Sequence, residues 1–362
     1  RIMERNTQNG NGKRKWNGKG GYSMSESGKE VAVSVVMPVY NEEKYIDRCI
    51  QSLLLQDYPK EAMEWIFVDG MSADRTVEII SGYAERYPDL ISIYENPNRT
   101  VPCAMNIGIS KARGKYIMRL DAHAEYAPDY ISKCVYYLDT TDAENVGGVA
   151  ETKALTEFGC TIAKMLSTRF GVGNSCFRTG GGSGYVDTVP FGAFRREVFE
   201  KYGNFDERLT RNEDNEINYR IRKKGGKIYL HSDIKFAYYC RETLKSICAM
   251  AFANGKWNVI TMRIAPGAMR LRHFIPMMFV LSLIFFGFVS LLYQPMPLLA
   301  ELMLYLVLDV FFSARVASGV KEFFQLAGLY FIFHVSYGTG SLSGFLTFDR
   351  GLGNSKAKRA ET

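Results

Sequence analysis

The chain has 362 residues, long for one compact domain and suited to one large domain plus an appendage. Hydrophobic residues make up 47% and aromatics 13%, so a real core can be buried. The net charge of +7 is gathered in NGKRKWNGKGG (11–21) and NSKAKRAET (354–362). Such ends suit nucleic acid or an anionic membrane surface, and with no nucleic-acid-binding motif behind them the membrane is the better partner.

Seven cysteines are scattered, odd in number and without C-x-x-C, which argues against a disulfide framework or a zinc site and for a reducing compartment. Residues 1–30 are polar and rich in Gly, Asn and Lys, and are expected to be disordered. They contain no signal-peptide core, so the catalytic part is expected in the cytoplasm. Met24 stands just before the first strand, and residues 1–23 read as a tag remnant or an over-extended start.

From residue 31 the pattern is α/β. VAVSVVMPVY (31–40) is a buried strand, and NEEKYIDRCIQSLLLQ (41–56) a helix with Asn41 as its N-cap. MEWIFVDG (63–70) is a strand; SADRTVEIISGYAERY (72–87) a helix capped by Ser72. ISIYEN (91–96) is a strand, VPCAMNIGISKAR (101–113) a helix stopped by Gly114, and KYIMRLDA (115–122) a fourth strand. This rhythm predicts a mostly parallel sheet with helices on both faces. Ligands bind beyond the carboxyl ends of such strands, where Tyr40, Asp69 and Asp121 lie. A dinucleotide site is excluded, because MPVYNEE lacks the glycines it requires.

After residue 147 the pattern loosens. GGVAETKAL reads as a strand, and Gly180–Gly184 as a mobile loop lacking the lysine of a phosphate cradle. VPFGAFRREVF holds a strand and a helix. A further helix starts near Glu213 and stops at Gly225, before another strand. The last hundred residues hold apolar segments at 276–293, 298–312 and 328–348, the first uncharged and long enough to span a bilayer. Arg263, Arg270, Arg272 and His273 put its start on the cytoplasmic side. Three spans, or two plus an interfacial helix, both fit. The domains are therefore 1–30, 31–262, 263–350 (membrane-associated) and a basic tail at 351–362.

Four motifs stand in order: VSVVMPVYNEE, FVDGMSADRT, the run from Ala104 to His123 ending in LDAH, and NED at 212–214. In this order they resemble glycosyltransferase family 2, whose members have the GT-A fold and use nucleotide-diphosphate sugars. The resemblance covers roughly residues 31–235. The finer likeness is to the succinoglycan-biosynthesis β-1,3-glucosyltransferase type, through VDGMS, DAHA, VPFGAFRREVF and H-x-x-Y-G-x-G (His334 to Gly340).

The resemblance implies that Pro38, Tyr40, Asn41, Glu42, Asp69, Arg99, Asn106 and Asp121 bind the nucleotide sugar. Gly70 replaces the family's second aspartate and removes one nucleoside contact. Asp121 and His123 take the D-x-D positions for a divalent cation, Mn²⁺ or Mg²⁺, and an imidazole favours Mn²⁺. Asp214 is the implied general base, with Glu213 as runner-up. At a helix start its pKa is expected to be low. Asp187 and Trp257 are candidate acceptor contacts. No Q-x-x-R-W motif of processive members occurs; AFANGKWN (251–258) stands there instead.

The implied activity is inverting, metal-dependent, non-processive transfer, with UDP-glucose as donor and a lipid-linked saccharide of an exported polysaccharide as acceptor. The implied location is a bacterial-type inner membrane, catalytic domain on the cytoplasmic face. Transfer directly to polyprenyl phosphate is the alternative activity. A catalytically silent sugar-nucleotide-binding scaffold is the alternative of another class.

Overall fold

The computed structural model describes residues 30–180 and 182–359, with side chains to Thr347. Residues 1–29 of the segment 1–30 expected to be disordered, residues 360–362 and the side chains of the rest of the basic tail lie outside that description, as does Gly181 of the glycine loop.

Four parallel strands form the first half of the sheet. They are β1 (Val33–Val39), β2 (Met63–Asp69), β3 (Ile91–Glu95) and β4 (Tyr116–Arg119), in the order β3-β2-β1-β4. Every residue of β2 is buried, as a strand covered on both faces requires. The strand period of two splits β1 between two cores. Val35 and Met37 pack with α1 (Ile46–Leu54) and α2 (Thr76–Arg86) through Ile46, Ile50, Leu53 and Ile80. Val36 faces α3 (Val101–Lys111) and Met105 on the other side. Gly108 permits that approach, since a Cβ there would lie 2.2 Å from Val36 Cγ1. Gly114 is likewise fixed by space, because its Cβ would fall 2.7 Å from the Ser34 nitrogen.

Both helix starts differ from expectation. Asn41 has φ 54° and caps nothing; α1 begins at Ile46. Ser72 does not cap α2, which begins at Thr76. Their side chains instead join two loops to each other.

The first four strands are all parallel, and the strands added beyond β4 make the sheet mixed. Its added strands are β5 (Ala124–Tyr126), β6 (Ala143–Lys153), β7 (Gly184–Tyr185), β8 (Ala193–Arg195) and β9 (Lys227–Tyr239). The path continues β4-β8-β6-β9-β5, with β7 on β9; only β6 and β9 pair in parallel. Residues 120–123 between β4 and β5 are too few for the crossover that a parallel neighbour requires. Helices α4 (Tyr130–Thr140), α5 (Glu157–Leu166), α6 (Arg169–Val172), α7 (Cys176–Thr179), α8 (Glu197–Tyr202) and α9 (Glu213–Lys223) fill the connections.

The C-terminal region is helical: α10 (Leu244–Ile264), α11 (Ile275–Leu292), α12 (Met296–Val316) and α13 (Val320–Arg359). Two segments, Leu271–Leu292 and Met296–Val316, are long and apolar enough to cross a membrane. Only 6% and 11% of their apolar windows are buried, so they are not core helices of a soluble fold. The third apolar segment behaves differently. Within α13, Leu326, Leu329, Tyr330 and Phe333 are buried in a cluster with Ile162 of α5 and Ile247 of α10. Glycines allow this contact: a Cβ on Gly340 would meet Phe252 O at 2.0 Å, and one on Gly255 would meet Tyr337 O at 2.0 Å. The arrangement is thus two exposed apolar helices and a third docked on α5 and α10.

Candidate active site

The site forms where the parallel strands end. After Val39 the chain turns through Tyr40, which is exposed, and left-handed Asn41. The turn is tied to the loop after β2. The Asn41 N–H donates to Ser72 Oγ (2.9 Å), and Asn41 Oδ1 accepts from the Ala73 N–H (2.8 Å). Ser72 in turn donates to Asp69 through its hydroxyl (2.6 Å) and its N–H (3.0 Å). Asp69 is therefore a buried, held carboxylate at the strand end. Gly70 has Tyr40 against it, 3.3 Å from a Cβ placed there, so the missing second aspartate leaves room for an aromatic ring.

The Glu42 N–H donates to Thr76 Oγ1 (2.7 Å), which fixes Glu42 beside the loop after β4. There His123 Nδ1 lies 2.9 Å from Asp121 Oδ1 and 3.2 Å from Glu42 Oε1. Ligand atoms of Glu42, Asp121 and His123 all lie within 4.8 Å of one another. Burial pulls the His123 pKa down, but Asp121 and Glu42 outweigh it, and the net shift is well upward. Burial raises Asp121 while His123 and Arg119 lower it, with a net fall. The cluster's field thus calls for positive charge, and its two oxygens and one nitrogen suit a divalent cation. Glu42 joins Asp121 and His123 as a ligand candidate, a role its place in the turn did not signal.

Across from this cluster α9 begins after left-handed Asn212 (φ 65°), presenting Glu213 and Asp214. Arg119, the last residue of β4, reaches both: it is 2.8 Å from Glu213 Oε1 and ion-paired with Asp214 Oδ1. Burial dominates at Asp214. It raises the pKa to about 6, opposed by Arg119 and aided by Glu213 and Asp121. The expected lowering by the helix start is corrected here: an N-terminus contributes about 0.3–1 kcal/mol, less than the desolvation of a carboxylate. Arg119 was missed in the sequence, although a single charge inside the otherwise apolar strand YIMR (116–119) was its signal.

Asp121, Arg119 and Asp214 line a cavity of about 710 Å³ that continues to Phe279 on α11, Tyr305 on α12 and Phe333 on α13. Asp187 stands on its wall, ion-paired with Arg270 (3.0 Å) and Arg272. Other candidates lie apart. Asn106 binds the loop after α8: its Nδ2 donates to Phe205 O (3.0 Å) and Glu207 Oε1 (2.9 Å), and its Oδ1 accepts from the Phe205 N–H (3.0 Å). These bonds occupy its amide in holding that loop. Arg99 is exposed in a left-handed turn (φ 56°) after β3. Trp257 sits on α10 outside the cavity lining. Pro38 pairs with Val68 inside the sheet.

The ends of the parallel strands thus bring an acid–histidine cluster opposite a buried carboxylate that lines a cavity, on a sheet of the GT-A fold. The family model "Glycosyl transferase family 2" matches residues 34–203, so the chain carries a glycosyltransferase domain of that family. It is 27% identical over 329 residues to a "Dolichyl N-acetyl-alpha-D-glucosaminyl phosphate 3-beta-D-2,3-diacetamido-2,3-dideoxy-beta-D-glucuronosyltransferase" of Methanococcus voltae, covering 87% of this chain and 99% of the relative. It is 29% identical over 248 residues to "Succinoglycan biosynthesis protein ExoA" of Rhizobium meliloti (strain 1021), covering 67% and 74% respectively. Among solved structures, a mannosyltransferase from Pyrobaculum calidifontis, in complex with GDP-Man and Mn²⁺, shares the fold at TM-score 0.52 and 18% identity, over 92% of this chain and 91% of that one.

Proposed function

We propose that this glycosyltransferase moves a sugar, with UDP-glucose as the preferred donor, onto a lipid-linked saccharide, with inversion and one residue per encounter. The observation that carries the reading is the continuous cavity from Asp121 and Asp214 to the apolar helices. It suits an acceptor whose reactive hydroxyl is sugar and whose other end is lipid. The Methanococcus voltae relative is named for a dolichyl-linked sugar phosphate acceptor, which supports the same class here. The exported-polysaccharide context is supported by the succinoglycan relative's name.

The nucleoside end of the donor lies over Tyr40, Asn41 and Asp69, and Asp69 accepts from a base or ribose. Asp121, His123 and Glu42 would hold the divalent cation, which supplies positive charge to the departing diphosphate when bound. Asp214, ionised above about pH 6, accepts the acceptor hydroxyl's proton. The acceptor oxygen forms its bond to the anomeric carbon as the carbon–oxygen bond to the diphosphate breaks. The proton ends on Asp214 and the electron pair on the diphosphate. Arg119 holds Asp214 in place and keeps it ionised. The catalytic domain faces the cytoplasm, on the side of Arg270 and Arg272.

The test is nucleotide release from a panel of UDP- and GDP-sugars by membrane-embedded protein, with Mn²⁺, Mg²⁺ or chelator, beside Asp214→Asn. Release from one UDP-sugar that needs the cation and disappears in the variant is the expected result. Undiminished turnover in chelator or in Asp214→Asn would refute it.

A further inference from the structure

Three guanidinium groups in the cavity are not used by the chemistry above. Arg119 is neutralised by Glu213 and Asp214, and Arg272 by Asp187. Arg169, Arg178 and Arg211 also line the cavity, and among the described residues none has a carboxylate at ion-pair distance. Arg178 has a buried Nη1 with no hydrogen-bond partner, while its guanidinium lies 5.0 Å over the Tyr238 ring. Among the described residues the hydrogen-bond partner of Arg211 is the neutral Asn254 Oδ1 (3.0 Å) on α10, and burial lowers its pKa against the opposing pull of Glu213. Arg178 and Arg211 are half-buried and Arg169 is exposed, and a partly desolvated cation without a counter-charge is costly to keep. Their planar donors match phosphate oxygens.

Arg169 and Arg211 lie toward the C-terminal helices, while Arg178 adjoins Tyr238, whose ring packs 5.0 Å from that of His123. Arg169 precedes Phe170, whose ring stacks on Phe312 of α12 at 5.0 Å and whose carbonyl accepts from His334 of α13 (2.9 Å). Arg211 is tethered to α10, against which α13 packs. The three guanidinium groups therefore share one cavity with Asp214 and with Phe279, Tyr305 and Phe333, and Arg169 and Arg211 border the helices that form its apolar end.

Resting on the lipid-linked acceptor reading, we propose that Arg169, Arg178 and Arg211 form the binding site for the acceptor's lipid-bound phosphate. The phosphate is held at the membrane side of the cavity, so that the sugar beyond it reaches Asp214 while the lipid tail leaves along α11 and α12. Recognition is then by charge and chain together, and a polyprenol lacking the phosphate is a poor ligand.

The test uses the full chain in nanodiscs, with a long-chain polyprenyl phosphate, the matching polyprenol, and UDP with Mn²⁺ as probes. Wild type is expected to bind the phosphate at least about tenfold more tightly than the alcohol, as charge-assisted bonds provide. The double variant Arg178→Gln/Arg211→Gln should lose that preference, while UDP affinity stays within about twofold. Arg169→Gln, at an exposed side chain with no packing role, gives a smaller loss and serves if the double variant fails to fold. Equal wild-type binding of phosphate and alcohol would overturn the inference. So would a parallel loss of UDP, which would assign the arginines to the donor's diphosphate. Either failure leaves donor turnover by wild type untouched, and so is distinct from failure of the glycosyltransfer reading.

Discussion

Replacing Arg119 by Gln changes the charge around Asp214 without touching the base itself. The groups facing that carboxylate are Arg119 from the end of β4, Glu213 on its own helix, and Asp121 from the loop after β4. Burial has already raised Asp214 to about 6 against the pull of Arg119. A neighbouring arginine lowers a carboxylate by about 1–3 units, so its removal moves the pKa to about 7–9. Protonated Asp214 cannot accept a proton, so kcat/KM falls on the acid side of that value. With a shift of about two units, the ionised fraction at pH 7 drops from about 0.9 to about 0.1, a roughly ninefold loss that is recovered near pH 9. The assay is a pH profile of nucleotide release at saturating Mn²⁺, with Arg119→Lys as the charge-retaining control. An acid limb that stays near 6 in Arg119→Gln, with the rate depressed equally at every pH, would refute the electrostatic role and leave only a positional one.

Asp214→Asn should lower turnover by about 10²–10⁴. Its stability should rise. A folded pKa of about 6 against 3.8 means that the proton favours the fold at low pH and that this stabilisation is lost as pH climbs through 6. At pH 7 the amide regains up to about 3 kcal/mol, read as a higher unfolding midpoint. Glu42→Gln should weaken the cation dependence of UDP binding by about tenfold or more, measured by Mn²⁺ titration, whereas an unchanged Mn²⁺ midpoint would remove Glu42 from the ligand set. Gly255→Leu should destabilise the α10–α13 contact by about 1–3 kcal/mol in thermal unfolding. Gly287→Leu on α11, where a Cβ meets nothing within 4 Å, should leave the midpoint unchanged.

The first four strands were legible because burial on both faces leaves an unbroken apolar run, and β1 and β2 need nothing else to be found. The helix starts were not. Asn41 and Ser72 have the chemistry of caps, yet each spends it on the other's loop, and a bond between residues 31 positions apart has no local signature. The carboxylates and His123 could be found by residue type and motif order. What they become depends on Arg119 and on burial, neither visible from the acids alone.

The apolar C-terminal segments make the same point about composition. Residues 276–293 and 328–348 are similarly apolar, yet α11 presents its surface outward while α13 buries Leu329, Tyr330 and Phe333. The difference lies in glycine placement. Gly338 and Gly340 admit the carbonyls of Pro276 and Phe252 to distances no Cβ would tolerate, and Gly344 similarly meets Lys256. Gly287 on α11 meets nothing. A helix that must lie against two others needs such positions on the shared faces, and a helix surrounded by lipid does not. His334 carries that docking into the site, since its Nε2–H donates to the Phe170 carbonyl (2.9 Å) and its Nδ1 accepts from the Tyr305 hydroxyl (2.9 Å). The H-x-x-Y-G-x-G motif thus fastens α12 and α13 to the short helix α6 that begins at Arg169.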